Sequence, residues 1–440
     1  MGEKWVRGAI VMLVLITGWY CSCCCGCLEE ERIALLNLKH SICPPTGNVL
    51  ASWERHGDCC KWVGIECNIT TKRVIKLSLN NTRDWNFGHW YLNSSLFLSF
   101  KELKSLFLNG NYILGFMKNE GLERLSSLSN LKVLDLSYNQ LNNSILSSLA
   151  SLSSLKVLNL AFNEMEGSLH SPGFKKPLEL SNLEVLDLSS NSFNNMILSS
   201  LKGLPSLRIL DLSDNKLKRI LNIKELVALN ELKELGLSYN NVESFMAPKD
   251  TRSLSMLEIL SLRFNKNTCG SCLLQSIRAF PSIKTLDLSM SRSTELVTIE
   301  DSHTFKELEI LLLKESSLHN NFLRSIGTLN SLKVLSVSFC ELNGTLSSQG
   351  WCELKNLEEL DLSGNNFQGM LPSCLGNLSY LQVLDVSSNH FIGNIATGPL
   401  TNLKSLEYLS FSNTTFKSQF PFRCLLTTPS LRSLLVVPTI

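Results

Sequence analysis

At 440 residues the chain is long enough for two or three ordinary globular domains, a prior that an internal repeat would override. It carries 41 Lys and Arg against 39 Asp and Glu, a net charge of +2, and no basic stretch exceeds a few residues. That balance argues against a nucleic-acid footprint and against a polybasic membrane patch.

Lys4 and Arg7 precede the apolar run Ala9 to Trp19, and small residues such as Ser22 and Gly26 follow. This is the pattern of a secretory signal peptide over 1–26, and the run falls short of the ~20 residues of a membrane span. Secretion also suits the 15 cysteines, which belong in an oxidising compartment. Cys21, Cys23, Cys24 and Cys25 fall in or before the cleavage region and are expected to leave with it.

Residues 27–73 read as a cap. CLEEERIALLNLKHSI spaces Leu28, Ile33, Leu35, Leu36 and Leu38 among charges as an amphipathic helix, which Pro44, Pro45 and Gly47 end. LASWERHGDCCKWVGIEC follows, with Trp53 and Trp62 as bulky cover and Cys59, Cys60 and Cys67 close together. The long loop Asn80 to Lys101 then brings Trp85, Phe87, Trp90 and Tyr91, expected to fill the junction between cap and first repeats rather than form a binding lip.

From Val74 the pattern LxxLxLxxN recurs at Leu103, Leu131, Leu155, Leu183, Leu207, Leu232, Leu257, Ile283, Leu308, Leu332, Leu357, Leu381, Leu406 and Leu431, spaced 24 to 29 residues apart. That is the leucine-rich-repeat period of about 20–29 residues. One unit, such as LEELDLSGNNFQGMLPSCLGNLSY at 357–380, cannot bury its own leucines and must stack on copies of itself. The expectation is an α/β leucine-rich-repeat solenoid over 74–440, about 15 repeats with the last incomplete. It would be a curved right-handed superhelix with a parallel concave sheet. Asn111, Asn139, Asn163, Asn191, Asn215, Asn240, Asn265, Asn365 and Asn389 hold the asparagine position; Ser291, Ser316 and Cys340 replace it, a poorer ladder of hydrogen bonds.

Cys27, EERIALLNLK, LASW and DCCKWVGIEC together resemble the N-terminal cap of plant extracellular leucine-rich-repeat proteins, and GMLPSCLGNLSYLQVL resembles the plant repeat with its G-x-I-P turn. The chain looks most like plant receptor-like proteins, surface receptors with this ectodomain and no kinase. The resemblance implies pairing of Cys27 with Cys59 and of Cys60 with Cys67, although Cys43 could compete. It also implies a peptide, protein or glycan ligand, a separate co-receptor kinase, and a membrane anchor on a C-terminal segment that this chain does not contain. LRSLLVVPTI opens a repeat whose back half is missing, so the sequence reads as a fragment, at the cell surface when complete, or else as a short extracellular form. The competing function is that of a soluble inhibitor of pathogen cell-wall-degrading enzymes.

No chemistry-bearing motif emerges. There is no G-x-x-x-x-G-K-[ST], H-E-x-x-H, G-x-S-x-G or kinase signature, and the seven histidines lack metal-ligand spacing, so neither catalysis nor a cofactor is expected. Outside the Cys21–Cys27 cluster, Cys269 and Cys272 form the single C-x-x-C to weigh, in a post-strand loop and without the second pair that zinc would want. Cys352 and Cys374 fall on adjacent back halves and could form a staple; Cys340 is expected buried and inert; the partner of Cys424 is open.

Binding is the remaining function. The outward positions beside the repeat leucines give Tyr138, Phe162, Tyr239, Arg263, Phe264, Met290, Leu312, Lys314, Glu315 and Phe339 as ligand-contact candidates, hot-spot residue types that could equally pack on each other. Glycosylation sequons stand at Asn68, Asn80, Asn93, Asn142, Asn343, Asn377 and Asn413, with none between Asn142 and Asn343. Glycans at Asn80 and Asn413 would flank the concave face and leave its middle, Arg263 to Phe339, open.

Overall fold

The computed structural model describes residues 26–42, 50–54, 57–83, 85–168, 180–226, 228–246, 254–265, 270–291, 305–394, 398–416 and 433–435. Residues 1–25 of the expected signal peptide, Cys43, Cys269 and Cys424 lie outside the described residues, as does the thiol of Cys272. The chain forms two compact units, one of residues 1–165 with 169–186 and one of 166–168 with 187–440.

The first unit begins with the helix Glu29–Ile42, which buries Glu31, Ala34, Leu35, Leu38 and Ile42. Ile33, counted on the apolar stripe from sequence, is 49 % exposed instead. The inward face runs 31-34-35-38-42 at helical spacing, so a carboxylate takes the place that the apolar pattern assigned elsewhere. Glu31 accepts the Val74 N–H at 2.9 Å, and Arg73 lies 3.6 Å from its other oxygen. Disulfides join Cys27 to Cys59 and Cys60 to Cys67, the pairing implied by the family resemblance. Trp53 stacks on Trp62 with centroids 5.7 Å apart, and its indole N–H donates to the Val63 carbonyl at 3.0 Å.

The strand Ile65–Cys67 runs antiparallel to Val74–Ser78, which then pairs in parallel with Ser105–Phe107, as that does with Val133–Asp135 and that with Val157–Asn159. The cap thus occupies an edge that would otherwise present open ladder groups. Trp90 donates to the Asn111 carbonyl at 2.8 Å, and the Arg83 guanidinium lies 4.8 Å over its ring while reaching the Ile42 carbonyl. The aromatic loop therefore fills the junction at Trp90, while Phe87 and Tyr91 stay exposed.

The second unit repeats the same scheme. Strands Ile209–Asp211, Glu234–Gly236, Ile259–Ser261, Thr285–Asp287, Ile310–Leu312, Val334–Ser336, Glu359–Asp361, Val383–Asp385, Tyr408–Ser410 and Ser433–Leu435 pair in parallel, each in register with the next. The central leucine of each tripeptide points inward: Leu210, Leu235, Leu260, Leu286, Leu311, Leu335 and Leu360 are buried, as alternation requires. Back halves supply short helices and small outer sheets, among them Lys218–Asn222 with Asn241–Met246, and Asn343–Thr345, Asn366–Gly369 and His390–Phe391 together. The segment read as a post-strand loop at Cys272 is a helix, Gly270–Ile277. Leu273 and Ile277, one turn apart, are buried, and that helical spacing places the segment in the core. Cys352 and Cys374 form the staple between back halves.

Ladder asparagines behave as the repeat demands. Asn365 donates to the carbonyls of Val337, Leu362 and Ser363 at 2.8, 3.0 and 3.2 Å, and accepts from Cys340 and Leu342 N–H. Ser316 reaches only the Leu288 carbonyl closely, at 3.0 Å, and the Ser291 hydroxyl is buried with no partner among the described residues. Cys340, fully buried, donates to the Leu313 carbonyl at 3.0 Å.

Candidate functional site

Each repeat turns sharply after its strand so that the asparagine can fold back onto carbonyls of its own and the preceding repeat. The residue before that asparagine, or before the Ser291, Ser316 or Cys340 that replaces it, carries the turn in the left-handed region. Tyr138 (φ 52°), Phe162 (53°), Tyr239 (53°), Phe264 (57°), Met290 (57°), Glu315 (55°) and Phe339 (55°) all lie there. This corrects their placement on the sheet itself: nine of the ten candidates stand on the turns bordering the strands, Arg263 and Lys314 immediately before the left-handed Phe264 and Glu315, and Leu312 ends a strand. Left-handed φ disfavours side chains with a Cβ by roughly 1–2 kcal/mol, so aromatic residues there oppose the local backbone preference.

Packing offsets part of that cost. Tyr138 stacks on Phe162 at 4.1 Å and 11°, and Tyr239 on Phe264 at 4.9 Å and 21°. Such pairs contribute about 0.5–1.5 kcal/mol beyond area burial. All four remain between 44 % and 56 % exposed, so each pair keeps free ring surface.

The candidates fall into two groups. Tyr138 and Phe162 belong to the first unit; Tyr239, Arg263, Phe264, Met290, Leu312, Lys314, Glu315 and Phe339 belong to the second, on neighbouring repeats. Within the second group Arg263 directs a guanidinium N–H to the Met290 sulfur at 3.6 Å, a weak acceptor, and its buried Nε has no partner among the described residues. Lys314 lies 3.8 Å from the Glu315 carboxylate and 5.9 Å over the Phe339 ring. Phe339 in turn covers Gly364, where a Cβ would stand 2.5 Å from the ring. Gly364 was missed from sequence; its only signal is a glycine in the turn one repeat after an aromatic.

The strand face carries a row of carboxylates with a structural purpose. Asp211, Asp287, Asp361 and Asp385 each accept the backbone N–H two residues on, at 2.8–3.0 Å. Leu312 stands at the same position and cannot, so the strand face is apolar there. The Ser238 and Ser261 hydroxyls, 2.7 Å apart, add polar groups beside Arg263. Among the described residues no cluster of three His, Cys, Asp or Glu could hold a metal ion.

Of the sequons, Asn80, Asn142, Asn343, Asn377 and Asn413 are exposed, while Asn68 and Asn93 are half-buried. The Asn68 amide nitrogen already donates to Glu102 at 3.1 Å.

A cap joined by two disulfides and stacked LxxLxL strands locked by asparagine define a leucine-rich-repeat protein. The family pattern "Leucine rich repeat N-terminal domain" matches residues 28–68, and leucine-rich-repeat patterns match 127–150, 176–217 and 356–378. Its relatives are plant receptor-like proteins. The chain is 38 % identical over 243 residues to Cuscuta receptor 1 of Solanum lycopersicum, covering 47 % of this chain and 22 % of that protein. It is 35 % identical over 227 residues to Receptor like protein 21 of Arabidopsis thaliana, covering 49 % and 22 %. The alignments thus span about a fifth of these relatives' length. Among solved structures, the PEPR1–AtPEP1 complex superposes with a TM-score of 0.53 at 27 % identity, over 93 % of this chain and 52 % of that one. A TDR receptor gives 0.57 at 25 %, over 79 % and 58 %. Among the described residues no helix is long and apolar enough to cross a membrane.

Proposed function

We propose that the chain is a secreted or surface-displayed receptor ectodomain that captures a peptide or protein ligand across the strand face of its second unit and signals through a partner kinase. The observation that carries this reading is the run from Tyr239 to Phe339. It combines a half-exposed aromatic pair, an arginine whose buried Nε has no partner among the described residues, and an apolar Leu312 between Asp287 and Ser336 of the flanking strands. Aromatic and arginine anchors beside apolar surface are the chemistry of binding hot spots. The structural neighbour PEPR1 was solved with AtPEP1 bound, which favours a peptide over a glycan as ligand class. Disulfides support passage through the secretory pathway, and the sequons on either side of the 142–343 gap would leave this region unshielded if glycosylated.

The test is a screen of synthetic secreted-peptide libraries against the immobilised chain, with each binder re-measured on Phe264→Ala and Leu312→Asp. Binding is expected to weaken about tenfold or more in each variant, the scale of losing one hot-spot contact. Binders indifferent to both substitutions in folded protein would sink the proposal.

A further inference from the structure

A second surface of the same unit combines exposed apolar side chains with cations. Strands Lys218–Asn222 and Asn241–Met246 pair in parallel with a register shift between Arg219 and Ile220, and at that bulge Arg219 takes φ 54°. Leu221 and Phe245 turn inward and are buried. Lys218, Arg219, Ile220 and Asn222 are exposed on one strand; on its neighbour Met246 is exposed and Ser244, paired with Ile220, is half-buried. Ile220 is 50 % exposed and Met246 55 %; Met196, on the preceding repeat, is 63 % exposed. Met196 is held to this edge by its neighbour Asn195, whose amide donates to the Lys218 carbonyl and accepts its N–H, both at 2.9 Å.

Three large apolar side chains on successive repeats thus adjoin Lys216, Lys218 and Arg219, all exposed. Asp214 stands on the turn before Lys216 and Glu243 within the strand Asn241–Met246, and neither forms an ion pair with these cations among the described residues. Methionine and arginine are side chains enriched at protein interfaces, and exposed apolar groups gathered on one face mark association. We infer that this bulged face docks a protein partner that presents carboxylates around an apolar centre, independently of ligand capture on the strand face. Asn195 already occupies the edge groups of Lys218, so the partner engages side chains rather than adding a strand. Asn222 and Ser244 interrupt the apolar groups and call for directional hydrogen-bond partners. A protein supplies these, whereas a membrane favours an unbroken apolar face.

The probe is a soluble peptide alternating Glu and Leu, compared by fluorescence anisotropy with one alternating Lys and Leu, on the whole chain. The acidic peptide binds and the basic one does not. Binding falls about tenfold or more in the double variant Lys218→Glu/Arg219→Glu and in Ile220→Asp/Met246→Ser, and weakens as salt rises. Phe264→Ala and Leu312→Asp leave it unchanged, which separates this surface from the ligand site. All four substituted positions are exposed, and circular dichroism verifies the fold of each variant. No binding, equal binding of both peptides, unaltered binding in both double variants, or binding only to phosphatidylserine vesicles overturns the inference.

Discussion

Cys340 shows how one side chain can hold a structural position by different chemistry. It stands where Asn365 and Asn389 stand in later repeats, and its buried thiol is pushed up to about 12 because burial penalises the thiolate. We expect it to resist iodoacetamide at pH 8 in native protein and to label only after unfolding; rapid native labelling would contradict the buried ladder position. Glu31 is the other side chain whose charge state matters. Burial raises its pKa above the ordinary 4.5; the Val74 N–H and Arg73 oppose the shift, while Glu102 and Glu30 add to it. A raised carboxyl contributes its stability when protonated, so that contribution is full below pH 4.5 and is lost as pH rises through the raised value. Urea melts should show wild type losing stability over that rise relative to Glu31→Gln, and parallel curves would show that Glu31 does not titrate there.

A single repeat is held by its asparagine and, in one place, by a disulfide. Asn365 makes three donor and two acceptor bonds in a buried turn, so Asn365→Ala strands several backbone groups. With each unsatisfied group costing about 1–3 kcal/mol, a loss of roughly 3 kcal/mol or more is expected in chemical denaturation, against a much smaller effect for Ser291→Ala. Cys352–Cys374 closes 22 residues, and the chain-entropy argument gives it about 3 kcal/mol. Cys352→Ala/Cys374→Ala should lower the thermal midpoint and speed amide exchange in Glu359–Asp361; an unchanged midpoint would mean that repeat stacking alone holds these back halves.

At the scale of the whole molecule, each stacked repeat contacts mainly its neighbours, so stability is a sum of local interfaces and fraying begins at ends. The cap is the guard at one end, with Glu31 and two disulfides holding Val74–Ser78. Cys27→Ser/Cys59→Ser should therefore make the amides of that strand exchange early, while those of Ile259–Ser261 keep their protection. Uniform loss of protection in both would indicate a single cooperative unit instead.

The period of the leucines and the recurring asparagine were enough to determine the fold class, while the pairing of Ile65–Cys67 at the sheet edge came only from the structure. Stacking is the only way a 24–29-residue unit with one apolar face can leave water. Cysteine pairing in the cap followed from the resemblance that CLEEERIALLNLK and DCCKWVGIEC carry. Three features needed the tertiary structure. Glu31 reads as a surface charge until the Val74 amide is seen to need an acceptor. Tyr239 and Phe264 read as strand residues until the asparagine ladder forces the preceding residue into left-handed φ. Met196, Ile220 and Met246 lie 24 and 26 residues apart, and only the lateral stacking of their repeats makes them one surface. Periodicity reports which side chains must be buried; the neighbours of the exposed ones depend on register between repeats, and that is decided in three dimensions.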